Sequence, residues 1–146
     1  NISDFPSNIR HYIAEQSKRY LENDSIFIFF KTLESLRIEN KLHTINTSKI
    51  TNDTPKTDIL YSDDYVWIES VNVFAKIKLA CQNEGISFDL SRQELYQKLE
   101  SEKLLITKDN RRSYEYRKGQ FRQSVICLPR NNLNRYLTYD KEDIKL

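Results

Sequence analysis

Glycine is nearly absent from this chain, which has only Gly85 and Gly119 among 146 residues. A Walker A loop needs two glycines before a Lys-Ser or Lys-Thr pair, and a dinucleotide fingerprint needs three in close succession. Neither pattern occurs. The sequence therefore excludes nucleotide hydrolysis and hydride transfer by those two folds within this chain, and we expect no cofactor.

Cysteine and histidine are equally scarce, with two of each. Cys81 and Cys127 occupy apolar positions, which predicts free buried thiols in a reducing, cytoplasmic compartment rather than a disulfide framework. His11 and His43 are far apart, and neither neighbours a cysteine, whereas zinc ligands usually come in closely spaced pairs. We therefore expect no metal site.

Long apolar runs are also missing. No stretch of about 18 apolar residues occurs, so the sequence predicts no membrane span. The polar, acidic opening Asn1-Ile2-Ser3-Asp4 does not read as a signal peptide. Because the chain lacks an initial methionine, we expect it to be a fragment of a longer protein.

Charge is small in total but concentrated in one segment. The net charge is +2, yet nine basic and only two acidic residues lie between Lys103 and Arg135, a local charge of +7. A cationic block on an otherwise acidic chain is typical of proteins that bind the phosphates of a duplex. The alternative is a solvated hairpin whose charges serve solubility.

Apolar spacing predicts two helices in the first third of the chain. Pro6 suits the first position of a helix that continues to about Asn23. Ser25 can cap a second helix, in which a stripe of apolar residues from Ile26 to Leu36 recurs at helical spacing up to about Lys41. We interpret residues 1–45 as a helical extension that packs on the core.

Turn residues and β-rich runs organise the middle of the chain. Leu42 to Ile45 predicts a short strand, and residues 46–57 read as an exposed loop. The runs 59–61 and 65–68 flank a polar turn and predict a hairpin. Ser70 can cap the following helix, which Gly85 would end at its C′ position.

The segment from Ile86 to Leu128 carries the clearest signals. Ser91 and Glu94 form a capping-box pattern that opens a helix over residues 91–100. An apolar run at 104–107 predicts a strand, residues 108–113 a turn, and 114–117 with 121–128 a basic hairpin. This order predicts an α+β fold: a winged-helix domain over 58–130, with a small antiparallel β-hairpin as its wing and a C-terminal tail at 131–146.

In a winged helix, the helix before the wing inserts into the major groove of double-stranded DNA. Arg and Gln can each bond a base in bidentate fashion, a contact worth about 1–3 kcal/mol of discrimination. The residues expected to reach base edges are Arg92, Gln93, Tyr96 and Gln97. Those expected to contact phosphates or the minor groove are Lys108, Arg111, Arg112, Arg117, Lys118 and Arg122.

The sequence also resembles a known family over about residues 29–128. The resemblance is carried by Tyr61-Ser-Asp-Asp-Tyr-Val-Trp-Ile68, Val73-Phe74, Gly85, Leu95-x₃-Leu99-x₂-Glu102-x-Leu104-Leu105 and Arg122-x₂-Val125-Ile126-Cys127-Leu128. These are similar to the C-terminal region of MCM-like AAA+ replicative helicases and initiators encoded by phages, staphylococcal pathogenicity islands and cassette chromosomes.

The resemblance implies a winged helix that follows an ATPase core and recognises a replication origin. The implied partners are origin DNA and the rest of a parent ATPase chain. Since the ATPase motifs do not occur here, helicase activity would belong to other sequence, and we expect this chain itself not to be an enzyme.

Two alternatives remain. One is a protein-interaction module that does not bind DNA, with apolar anchors at Tyr12, Phe27, Ile28 and Trp67. The other is a magnesium-dependent nuclease, because Asp58, Asp63, Asp64 and Glu69 surround the central hairpin and carboxylates on adjacent strands can hold Mg²⁺. Glu69 is followed by Ser70-Val71, without the lysine that many such nucleases place two residues later.

Overall fold

Three helices and a five-stranded sheet make up residues 24–135, the part of the chain that the computed structural model describes. The helix predicted from Pro6 to about Asn23 lies outside this range, as do the residues after Arg135. The helices are α1 (Ser25–Ile38), α2 (Asn72–Asn83) and α3 (Arg92–Ser101). The strands are β1 (Thr44–Asn46), β2 (Ile59–Tyr61), β3 (Tyr65–Glu69), β4 (Ser113–Lys118) and β5 (Phe121–Pro129).

The sheet has the order β1-β2-β3-β5-β4, with β1 parallel to β2 and every other pair antiparallel. Both predicted hairpins, β2–β3 and β4–β5, are confirmed, and so is the α+β class. Ile68 pairs with Ile126, and Trp67 pairs with Cys127. Because side chains alternate between the two faces of a strand, the first pair faces the helices and the second faces the opposite side.

The helices cover one face of the sheet and share a single core with it. Ile77, Leu95 and Leu99 are fully buried there, together with Phe29 and Phe30 of α1. Burying a side chain of this kind contributes about 1.5–3 kcal/mol. The helix α1, predicted as part of an extension, therefore supplies the centre of the core.

The start of α2 differs from the prediction. The carboxylate of Glu69, rather than the hydroxyl of Ser70, accepts hydrogen bonds from the backbone N–H groups of Val71, Asn72 and Val73 at 2.5, 2.5 and 3.3 Å. Ser70 is buried, and its hydroxyl pairs with that of Ser124 at 2.6 Å. A carboxylate satisfies the free N–H groups of a helix start and also suits its positive end.

The first helix also begins one residue earlier than predicted. Asp24 is its N-cap, since its carboxylate accepts from the N–H of Ile26 at 2.9 Å, and Ser25 is the first helical residue. The predicted capping box of α3 is confirmed. The N–H of Glu94 donates to the hydroxyl of Ser91 at 3.1 Å, and the N–H of Ser91 donates to the Glu94 carboxylate at 3.0 Å.

Gly85 follows the end of α2 with a φ of +69°, the left-handed conformation expected of a glycine at this position. Both thiols are free and buried, as predicted, with Cys81 1% and Cys127 4% exposed.

Two connecting segments depart from the prediction. Residues 104–107 do not form a strand: Leu104 and Leu105 are buried in the core, and Ile106 makes a single bridge to Cys127. The segment 46–57, predicted as an exposed loop, begins with a short 3₁₀ helix and buries Ile50 and Thr57. In both segments, burial of apolar side chains determines the path of the chain, and the local sequence pattern did not predict it.

The predicted tail begins inside the fold. Arg130–Arg135 form a 3₁₀ helix, and Leu133 is only 3% exposed within the main core. The Nη1 atom of Arg130 donates to the carbonyl of Ser62 at 2.6 Å, which ties this segment to the β2–β3 turn.

Candidate nucleic-acid interface

The helix α3 has one buried and one exposed side. Leu95, Tyr96 and Leu99 are buried against the core, whereas Gln93 and Gln97 are exposed one turn apart. The capping box fixes where the helix starts and therefore which residues fall on each side. Two of the four residues predicted to reach base edges thus lie on the open side of α3.

Tyr96 does not lie there, which corrects the prediction for this residue. It is 3% exposed, and its hydroxyl donates to the carbonyl of Ser70 at 2.6 Å. Burial raises the pKa of this phenol well above its ordinary value. Arg92 is half-buried and leans the same way, with Nη1 3.4 Å from that carbonyl. Tyr96 therefore anchors α3 to the β3–α2 junction and is unavailable to a base.

A cleft of about 550 Å³ separates the exposed side of α3 from the base of the β4–β5 hairpin. We call it the α3–hairpin cleft. One ion pair crosses it, between Nη2 of Arg112 and the carboxylate of Glu100 at 3.3 Å. Its lining residues are Gln93, Glu100, Thr107, Asn110, Arg111, Arg112 and Ser113.

Two further predicted cations lie along the hairpin on the side of the sheet that the helices cover. Arg117 and Arg122 are directly opposite each other on β4 and β5. The carboxylate of Glu115 lies between them, 2.9 Å from Nε of Arg117 and 3.5 Å from Nε of Arg122. Arg122 also donates to the carbonyls of Gly119 and Phe121. These contacts hold both guanidinium groups close to the hairpin.

The two lysines of the predicted set belong to the opposite side of the sheet. Nζ of Lys118 donates to the carbonyl of Thr47 at 2.5 Å. Nζ of Lys108 lies 5.1 Å from the ring centroid of Tyr114. Strand alternation separates Lys118 from Arg117 and Arg122, and the contact with Tyr114 places Lys108 on the same side as Lys118. The six predicted cations therefore do not all lie on one surface of the sheet.

What the structure brings together on the α3 side is smaller than the predicted set. Gln93, Arg111 and Arg112 share the cleft. Gln97 is exposed one turn further along α3, and Arg117 and Arg122 lie further along the hairpin on the same side of the sheet. Glu100, the partner of Arg112, was not among the predicted site residues.

A tight turn, within the residues 108–113 that were predicted as a turn, shapes the cleft. Lys108 and Arg111 exchange two backbone hydrogen bonds of 2.9 Å, and the intervening Asp109 and Asn110 have φ values of 52° and 63°. Positive φ at both central residues defines the tight hairpin turn that Asn, Asp and Gly favour. The Asp-Asn pair in the sequence was the signal for it.

The four carboxylates considered for a magnesium site have separate structural contacts. Asp58 accepts from the backbone N–H of His43 at 2.7 Å and pairs with Lys76 at 3.4 Å, while Glu69 caps α2. Asp63 and Asp64 are exposed turn residues. No three His, Cys, Asp or Glu side chains within residues 24–135 are arranged to hold a metal ion. This geometry gives the nuclease alternative no support.

Among residues 24–135, none of the helices has the length and apolar character needed to cross a bilayer. No protein-family model matches the chain, and no curated protein matches it significantly.

Proposed function

We propose that this chain binds double-stranded DNA as a winged-helix domain, with α3 in the major groove and the β4–β5 hairpin on the backbone. The order of elements supports this. Without β1 and β2, the elements run α1, β3, α2, α3, β4 and β5, and β5 lies between β3 and β4 in the sheet. The pair β1–β2 extends that sheet at its other edge.

The observation that carries the proposal is the α3–hairpin cleft. It sets the amide of Gln93 on one wall and the guanidinium groups of Arg111 and Arg112 on the other. Amides can read adenine and guanidinium groups bind phosphate. Both chemistries therefore face one space beside a helix of groove-sized diameter.

We further propose that the DNA is a replication origin of a mobile element and that the chain acts beside a parent ATPase in the cytoplasm. The sequence resemblance to the island initiators supports the origin. The two free buried thiols are compatible with a reducing compartment.

A titration with fluorescent duplexes tests the proposal. Arg111→Glu with Arg112→Glu should weaken binding to every duplex about equally, whereas Gln93→Ala should reduce only the preference among sequences. With four arginines engaged, the log–log slope of affinity against salt should be about −3.5. Lys31→Glu, on the exposed side of α1, is the matched control and should leave binding unchanged.

Binding that ignores salt, or that Lys31→Glu weakens as much as the Arg111 and Arg112 changes, would contradict the proposal. A pool of random duplexes selected on the protein would then show whether a defined site exists.

The second candidate function is protein interaction, and one groove favours it. A groove of about 650 Å³ lies between α1 and α2, with Phe27, Leu36 and Ile86 among its lining residues. Phe27 is half-buried there and Ile86 is 38% exposed, so apolar surface remains open to a partner. Of the other predicted anchors, Ile28 is buried and Tyr12 lies outside the described residues.

A further inference from the structure

The sheet face opposite the helices carries a cluster of aromatic rings. Trp67 lies at its centre, with ring centroids 5.8 Å from Tyr65 and 5.2 Å from Tyr116. The indole Nε1 donates to the hydroxyl of Tyr114 at 2.9 Å, which fixes the orientation of the indole ring. We call Tyr65, Trp67, Tyr114 and Tyr116 the aromatic face.

Only part of this sheet face is covered. The segment 47–57 packs across one half, where Ile50 is buried with Leu60, Phe121 and Val125. Trp67, Tyr114 and Tyr116 pack against the edge of this cluster, and Tyr65 lies outside it. Tyr65 is 40% exposed, and the other three rings are half-buried. Grouped rings left this open are unusual for side chains that serve only to fill a core.

A cleft of about 450 Å³ opens on the aromatic face. Its volume falls within the range of about 300–1,000 Å³ typical of ligand pockets. Its lining residues are Trp67, Lys108, Asp109, Arg111, Tyr114, Glu115, Tyr116 and Arg117.

Positive charge surrounds the rings. Lys108 lies over the ring of Tyr114, and Lys118 is on the same side of β4 as Tyr116. Arg111 borders both this cleft and the α3–hairpin cleft, and Arg117, which alternation assigns to the α3 side of the edge strand β4, also lines this cleft. Of the two carboxylates in the cleft, Glu115 is already paired with Arg117 and Arg122. The cations around the cleft therefore attract an anion, and the rings favour an anion whose uncharged parts are flat and aromatic.

We propose that the aromatic face binds single-stranded nucleic acid, with unpaired bases stacked on Tyr65 and Trp67 and phosphates on the surrounding cations. Base stacking on aromatic side chains within a positive groove is how sequence-tolerant single-strand binding works. A duplex cannot bind this way because its bases are already stacked. This function goes beyond the proposed contact with double-stranded DNA and uses the opposite side of the hairpin.

The single tryptophan of the chain gives a direct readout. Titrating the full chain with 15-nucleotide oligo(dT) or oligo(U) at low salt should quench the fluorescence of Trp67, because a base stacks against it. A duplex of equal length should leave the emission unchanged even where it binds α3. A difference between the two oligonucleotides identifies whether DNA or RNA is the better ligand.

Tyr65→Ala removes an exposed ring without opening the core and should weaken the oligonucleotide affinity about fivefold or more. Leu79→Ala, an exposed apolar side chain on α2, is the control and should leave it unchanged. The proposal is overturned if neither oligonucleotide quenches, if the duplex quenches equally, or if Tyr65→Ala has no effect. Loss of duplex binding alone would count against the role of α3 and not against the aromatic face.

Discussion

Glu69 shows how one side chain can be assigned the wrong role from sequence. Its position near Asp58, Asp63 and Asp64 suggests a metal ligand, but in the structure its carboxylate accepts from three backbone N–H groups at the start of α2. Ser70 is the residue type that usually caps, yet its N–H is bound to the carbonyl of Ser124 as the sheet continues. Tertiary pairing, which no local rule contains, moved the cap one residue earlier.

The capping role of Glu69 predicts a loss of stability on substitution. Glu69→Ala should lower the free energy of unfolding by about 1–2 kcal/mol, because three N–H groups lose their partner and the helix end loses its negative charge. Urea unfolding followed by circular dichroism measures this change. Asp63→Ala, in an exposed turn, is the matched control. Equal effects of the two substitutions would contradict the role of Glu69 as a cap.

Elements with strong local signals were predicted well. The capping box gave α3 to within one residue at each end, and the hairpins followed from alternating runs around polar turns. The strand predicted at residues 104–107 was wrong, because a short apolar run has the same composition whether it pairs as a strand or packs as an irregular segment. Leu104 and Leu105 fill the core without joining the sheet.

The tip of the β4–β5 hairpin allows a prediction about Gly119. It has a φ of +58°, and a Cβ at this position would lie 2.3 Å from Oδ1 of Asn52. Gly119→Ala should therefore destabilise the fold by the strain of its backbone, about 1 kcal/mol, and additionally by displacing Asn52. Gly85→Ala, with a φ of +69° and no atom within 4 Å, should incur the backbone strain alone. Thermal unfolding of the two variants compares them, and an equal or smaller loss at Gly119 would refute the argument.

At the scale of the whole molecule, the sequence showed that cations cluster in one segment but not which surface each of them occupies. Clustering in sequence placed six cations on one hairpin. Strand alternation then divided them, so that Arg117 and Arg122 lie on one side and Lys118 on the other. The prediction that Tyr96 contacts a base was wrong for a similar reason. Tyr96 lies three residues before Leu99 and shares its buried side, but the sequence does not show how far around the helix the core extends. The spacing of apolar residues identifies the buried side of a helix, but it does not show which neighbouring polar residues are also buried.

Because several tyrosines are buried, we expect the stability of the fold to decrease at alkaline pH. Burial raises the pKa of Tyr114 to about 12, above its ordinary value of 10. Since the folded state favours the neutral phenol, the stabilising contribution is complete below pH 10 and is lost as the pH rises from 10 through 12. The free energy of unfolding should therefore fall over this range.

Urea unfolding midpoints between pH 9 and pH 11.5 measure that fall. Tyr114→Phe should be less stable than wild type at pH 9, where it lacks the hydrogen bond to Trp67, and should lose less on going to pH 11.5. Tyr65→Phe, in an exposed position, is the control and should follow wild type. A wild-type slope retained in Tyr114→Phe would show that other groups cause the alkaline loss.

The β4–β5 hairpin is held at both of its ends. At the tip, Asn52 accepts from the N–H of Gln120 at 2.9 Å and Lys118 bonds the carbonyl of Thr47, while at the base Arg112 pairs with Glu100 of α3. Contacts at both ends restrict movement of the hairpin relative to α3 and to the segment 47–52. Under the proposed function, a duplex that docks on this hairpin would have to adapt its own shape, and sequences that deform easily would then be preferred even at base pairs that no side chain contacts.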